Sequence, residues 1–242
     1  MEKTVNLQTS AIGEIARLNS ATIQVFRKYG IDFYNKGTNL LSEACAVCNC
    51  DELAVFKELQ SALSTNADED KNFNNWSLEA LIVHIVESHH RYVNITVPEI
   101  AAMFKTVLES RETNNVELKR ISELFRQLGN DMKQHMQKEE LALFPLIRNL
   151  ELSKTTGQGM PTGLSVKSLI TVVEFEHDTS GIIIKQINRL CNNYSVPEGA
   201  SPFFCSFFNK LNEFESDLVV HIHLENNVLH KKAIELEQEL QG

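Results

Sequence analysis

Glycine and proline are scarce in this 242-residue chain, at ten and five residues, too few for the turn-rich connections of a β sandwich or barrel. Long apolar runs are missing too: none approaches the ~18 to 20 residues that a membrane span needs. The opening residues, Met1-Glu2-Lys3-Thr4-Val5-Asn6-Leu7-Gln8, contain no apolar core of a signal peptide, so export is not expected. Cysteine is sparse and odd in number, five in all, which gives no disulfide framework and makes a reducing cytoplasm the expected setting. Basic side chains are outnumbered, 23 against 32 acidic ones for a formal charge of −9, so nucleic acid is not an expected partner. What is present is a hydrophobic fraction of 43%, enough to build the core of one medium domain with a small appendage.

Apolar residues recur at three- and four-residue intervals nearly throughout, and strict alternation is rare, so the expected fold class is all-α. The first stretch reads as short helices over Ile12–Leu18, Ala21–Tyr29, Leu40–Val47 and Asp51–Leu63, with turns at Gly30 and Gly37. This predicts a small helical N-terminal domain over 1–63, a polar linker over 64–75 and a larger domain over 76–242. In the larger part, four long helices are predicted at about 77–111, 116–149, 166–192 and 202–240. The first is expected to kink or break at Pro98. Short connections between long helices make antiparallel neighbours, hence an up-down-up-down four-helix bundle. The glycine cluster at 157–163 follows no strand, and it reads as a helix connector rather than a phosphate cradle.

Chemistry concentrates on the inward faces of these helices. His135 and Glu139 stand four residues apart on the second helix, and so do His221 and Glu225 on the fourth. At ~100° per residue, each pair lies on one face. That face is otherwise apolar: Leu128, Met132, Ala142 and Leu146 flank the first pair, and Leu211, Phe214, Leu218 and Val228 the second. The first helix brings His84 within Leu81-Ile82-Val83-His84-Ile85-Val86, and the third brings His177 after Val172-Val173-Glu174-Phe175-Glu176. The intervals between the four histidines match one helix plus one connection, so all can lie at one depth. A lone histidine on an apolar face is usually a satisfied core residue. Four of them with two carboxylates are different, because burying unpaired carboxylates costs several kcal/mol each. A metal removes that cost, since imidazole and carboxylate are both good ligands. The expected metal set is therefore His84, His135, Glu139, His177, His221 and Glu225. Six ligands exceed a tetrahedral zinc site and suit two ions, each with two histidines, bridged by both carboxylates and by an oxo or hydroxo group. Iron or manganese fits these donors, and zinc is not excluded by ligand type.

The other histidines, His89, His90, His223 and His230, fall off these stripes and are expected on outer or flanking faces. Asp131 falls on the metal-facing stripe, and Glu176 adjoins His177; each reads as either an access-route residue or solvated charge. Cys45, Cys48 and Cys50 cluster in a helix-turn segment, read as buried thiols beside an exposed one, with metal or redox chemistry as the alternative. Cys191 and Cys205 are expected to be structural.

The run His135-Met136-Gln137-Lys138-Glu139-Glu140, with Leu143-Phe144-Pro145, resembles the second-helix motif of hemerythrin-like domains. Glu176-His177-Asp178 and His221-Ile222-His223-Leu224-Glu225-Asn226-Asn227-Val228-Leu229 resemble more narrowly the RIC family (repair of iron centres, ScdA/YtfE type). Ile12-Gly13-Glu14-Ile15, Val25 to Phe33 and Leu41-Ser42-Glu43-Ala44-Cys45 resemble that family's N-terminal domain. The resemblance implies a di-iron, carboxylate-bridged centre on the same six ligands and a role in repairing iron–sulfur clusters damaged by nitrosative or oxidative stress, by supplying iron. Damaged iron–sulfur proteins are then the partners. Reduction of nitric oxide or peroxide, or gas and redox sensing, are the alternatives, with nitric oxide, dioxygen or peroxide as small partners at the iron; no catalytic residue is assigned, and a homodimer is left open. The chain departs from the family where a cysteine pair usually follows Gly-Ile-Asp-Phe: here stand Tyr34 and Asn35. It departs from oxygen-carrying hemerythrins one turn after His177, where Gly181 replaces a further histidine.

Overall fold

The computed structural model describes residues 5–64, 73–110, 116–157, 165–196 and 198–241. Among them the secondary structure is helical, with one isolated antiparallel bridge between Ala11 and Leu40. Two compact units are present: Met1–Leu81 with Val220–Gly242, and Ile82–Val219.

In the first unit, α1 (Ile12–Ala16), α2 (Ser20–Lys28), α3 (Leu41–Cys48) and α4 (Glu52–Ser64) match the short helices expected from sequence. Asn19 starts α2 by accepting a hydrogen bond from the Ala21 amide at 2.8 Å, and its own amide donates to the Ala62 carbonyl at 2.9 Å. One side chain thus caps one helix and ties down the end of another. Gly30 ends α2 at φ +69°, a conformation cheap only for glycine. Phe26, Phe33, Ile12, Ile15, Leu41, Val55 and Leu59 are buried, with the Phe26 and Phe33 rings stacked at 5.7 Å. Most of the predicted linker, 65–72, lies outside the described residues; Phe73–Asn75 forms one 3₁₀ turn.

In the cysteine cluster, Cys45 is buried while Cys48 and Cys50 are partly exposed. Burial pushes the Cys45 thiol up to about 12, with smaller contributions from Cys50 and its neighbours. Cys191 is likewise raised to about 12 by burial. Brief alkylation at pH 8 followed by peptide mass analysis should therefore modify Cys48, Cys50 and Cys205 and spare Cys45 and Cys191, because only the thiolate reacts; labelling of Cys45 at the rate of Cys48 would refute this.

Four long helical rods account for the rest of the described chain. They are α5 (Leu78–His84) with α6 (Arg91–Glu109), α7 (Val116–Lys138) with α8 (Phe144–Thr156), α9 (Val166–Leu190), and α10 (Pro202–Leu224) with α11 (His230–Gln241). Three of the rods contain a π-helical turn, at Ile85–His90, Glu139–Leu143 and Glu225–Leu229. The second rod runs past its predicted end to Thr156, where Gly157 closes it at φ +67°. Residues 158–164 of the glycine-rich connector lie outside the described residues.

The second unit is a helical bundle in which α7 packs against α6 and α9. Phe104 of α6, Phe125 of α7 and Phe207 and Phe214 of α10 interlock, with ring centroids 5.6 Å (Phe104–Phe125), 4.7 Å (Phe104–Phe207) and 5.2 Å (Phe125–Phe214) apart. Such aromatic pairs add to the burial of their area and fix how the helices approach. The break expected at Pro98 is absent: α6 runs through it. Pro98 and Asn94, whose carbonyl loses its helical donor there, both face solvent, so water can take up the orphaned carbonyl. The irregularity lies instead at Ile85–His90.

Candidate metal centre

Each π-turn carries chemistry at its edge. Glu139 opens the second and Glu225 the third, while His90 closes the first. A π-turn inserts one residue into the helical repeat and so changes which side chains face inward downstream. This explains a difference from the sequence reading. The structure places His90, not His84, against Glu139: the His90 Nε2 lies 3.4 Å from Glu139 Oε2, and both side chains are essentially inaccessible. His84 is only half-buried; its Nδ1 lies 3.3 Å from Ser88 Oγ and its ring meets His89 edge-on at 5.6 Å. Burial and the neighbouring His89 lower the His84 pKa, against a smaller opposite pull from Asp217. A signal for His90 existed: Val93, Thr96, Ile100, Phe104 and Val107 form the buried stripe of α6, and extended backward it reaches 89 and 90 rather than 84.

The second unit gathers His135, Glu139 and His177, whose ligand atoms lie within 4.8 Å of one another. His135 Nε2 is 3.2 Å from Glu139 Oε2 and 2.8 Å from His177 Nε2. All three residues are buried. In the first unit, His221 Nε2 lies 3.0 Å from Glu225 Oε1, both fully buried.

The opposite edges of two rings settle their protonation. His135 Nδ1 is 3.0 Å from Glu176 Oε2, and His90 Nδ1 is 2.7 Å from Glu140 Oε1. A carboxylate only accepts, so each Nδ1 carries a proton and donates it, which turns Nε2, the nitrogen nearer Glu139, into the atom that would ligate a cation. Glu176 also pairs with Lys138. Burial works against its charge, but the bonds from Lys138 and His135 prevail and hold its carboxyl below the usual range. Imidazole Nε2 atoms converging on a buried carboxylate are a donor set that a cation would satisfy.

Glu140 and Glu176 back the two imidazoles, a placement that the sequence spacing did not assign: Glu140 adjoins Glu139 rather than sharing its face, and Glu176 meets His135 across 41 positions. Glu140→Gln and Glu176→Gln keep the shape but replace an acceptor oxygen by an amide. Each should weaken metal binding about tenfold or more, read by competition with a chelator; unchanged affinity in both would refute the orienting role.

Other expectations are corrected by burial. His89, His90, His223 and His230 are all buried rather than on outer faces. His89 Nδ1 pairs with Asp217 Oδ1 at 2.9 Å. Full burial, then the charges of Arg17 and Lys231, push His223 down to about 3, so it is neutral at physiological pH. Asp131 is exposed rather than facing the site, because Met132 and His135 occupy the inward positions around it.

An all-α fold with buried, oriented histidines and carboxylates defines a helical cation-binding protein. The chain belongs to the hemerythrin family, its residues 81–233 matching the Hemerythrin HHE cation binding domain. Residues 8–63 match ScdA_N, a domain of unknown function. The chain is similar to the iron-sulfur cluster repair protein YtfE of Pectobacterium atrosepticum, at 31% identity over 93% of this chain and 96% of the relative. It is similar also to those of Dickeya chrysanthemi, at 29% over 95% and 99%, and Escherichia coli, at 30% over 92% and 96%. Among the described residues, no helix is long and apolar enough to cross a membrane.

Proposed function

We propose that this protein repairs damaged iron–sulfur clusters by supplying iron from a di-iron centre, with iron–sulfur proteins as its partners. The observation that carries the reading is the buried His90–Glu139–His135–His177 group with its tautomers fixed from behind by Glu140 and Glu176. In the proposal these residues would hold iron together with His221 and Glu225, with Glu139 and Glu225 as the carboxylates available to both ions. His90 takes the place that the sequence reading gave to His84. Nitrogen and oxygen donors without thiolate suit iron. The centre would supply iron and a redox-capable ion pair when loaded; the chain's own contribution is to exclude water, orient the imidazoles and hold the carboxylates in place.

The relatives named iron-sulfur cluster repair protein YtfE support the same reading, since the match spans nearly the whole of each chain. The division into residues 1–63, a linker at 64–75 and a domain over 76–242 belongs to the proposal as well, and limited proteolysis at 64–75 tests it. So does an intracellular, stress-related setting. Loading the protein with labelled iron and mixing it with an apo cluster enzyme is the direct test. Stoichiometric transfer with recovery of the recipient's activity supports repair. Catalytic consumption of nitric oxide or peroxide with iron retained would replace it by the reductase reading.

A further inference from the structure

The two glutamate-bearing π-turns are built differently. Around Glu139 the turn faces solvent at Glu140, Leu141 and Ala142, whereas Glu225, Asn227, Val228 and Leu229 are all buried. The second of these turns is gripped by the N-terminal helices. The half-buried Arg17 donates from Nη1 to the Asn227 carbonyl at 3.1 Å. The Asn227 amide donates from Nδ2 to the carbonyls of Phe33 and Tyr34, each at 3.2 Å, and lies 3.1 Å from His223 Nδ1, which accepts. Asn226 adds a bond to the same Tyr34 carbonyl at 3.2 Å.

Gly13 and Gly37 close the cradle. Their backbones are joined by the Gly13 amide donating to the Gly37 carbonyl at 2.8 Å. A Cβ on Gly13 would come within 2.9 Å of Asn227 Cγ, and one on Gly37 within 2.8 Å of it. Real Cβ atoms do not make such contacts, so both positions are reserved for the asparagine side chain. An α-helix does not need this much external support; a π-turn is intrinsically rare and needs tertiary contacts to persist.

We propose that Asn227 is a positioning residue that latches the N-terminal helices onto the turn carrying Glu225, so that this segment sets how fast metal leaves the Glu225 side. The latch reaches the metal only through Glu225, two residues earlier on the same turn, and this part rests on the di-iron reading. Docking of the N-terminal segment and retention of metal are then linked: whatever loosens the Phe33–Tyr34 contact hastens release, and by reciprocity metal loading protects that contact.

Three variants separate this from general destabilisation. Asn227→Asp keeps the shape but turns a donor into an acceptor facing two carbonyls, and Gly37→Ala displaces the asparagine amide from its cradle. Val55→Ala thins the N-terminal core without touching the latch. Iron release from the loaded protein to a chelator should be about tenfold faster in Asn227→Asp and Gly37→Ala, and unchanged in Val55→Ala when compared at matched melting temperature. Equal rates in all three, or a wild-type rate in Asn227→Asp, would overturn the latch. The metal-free full-length protein supplies an independent arm: amide exchange across residues 33–37 should rise in Asn227→Asp above its level in Val55→Ala, and no difference would also overturn it. A wild type that binds no iron pair yet shows this exchange difference would remove the di-iron reading while leaving the contact in place.

Discussion

His90→Ala should strip freshly purified protein of much of its iron, whereas His84→Ala should leave the iron content unchanged. The contrast is steep because the two histidines sit six residues apart on one rod yet in different surroundings. His90 is shut away, backed by the Glu140 carboxylate at 2.7 Å, with its ring stacked on Phe144 at 5.8 Å. Removing it opens a polar hole beside the buried Glu139 and deletes a nitrogen whose tautomer was fixed for ligation. The affinity loss should exceed the ~10- to 100-fold typical of removing an orienting partner. His84 is half-exposed, bonded to Ser88, and can be lost with little change in the interior. Metal analysis of the two variants side by side decides the matter. Iron loss in His84→Ala with retention in His90→Ala would restore the ligand set expected from sequence and refute the geometric one.

Glu139→Gln should change the sign of its effect with metal. In the loaded protein the amide is a poor bridge, so iron occupancy should fall and the thermal midpoint with it. In the metal-free protein the same change removes a carboxylate that is 0% exposed and has only imidazoles to compensate it, and burial of such a charge costs several kcal/mol. Metal-free Glu139→Gln is therefore expected to be more stable than metal-free wild type, by on the order of 1 to 3 kcal/mol. Glu225→Gln should behave alike, since Glu225 is equally buried and lies 3.0 Å from the imidazole of His221. Calorimetry with and without iron measures both states. Destabilisation of the metal-free form by both substitutions would show that these carboxylates are structural and would count strongly against a bridging role.

Much of this was legible in the sequence because helices advertise their inner faces locally. Three- and four-residue apolar spacing marked all four rods to within a few residues at most ends, and the His–Glu pairs stood out as the polar breaks in apolar stripes. Those pairs needed no tertiary information, since four residues along one helix is a fixed geometry. The hemerythrin membership followed from the same motifs. Pro98 did not interrupt its helix, because the carbonyl it orphans lies on the side that meets water, and that is a property of packing.

The amino-acid sequence alone determined the helical class, the two His-x-x-x-Glu pairs and the acidic, thiol-poor character of the chain, because each depends on neighbours within one turn. Only the tertiary structure decided that His90 rather than His84 lies against Glu139, that Glu176 backs His135, and that Asn227 is seated between Gly13 and Gly37. The first turns on a π-turn that shifts the phase of a helix. The others join residues dozens to nearly two hundred positions apart, and no local periodicity encodes which distant side chain will arrive at a given depth.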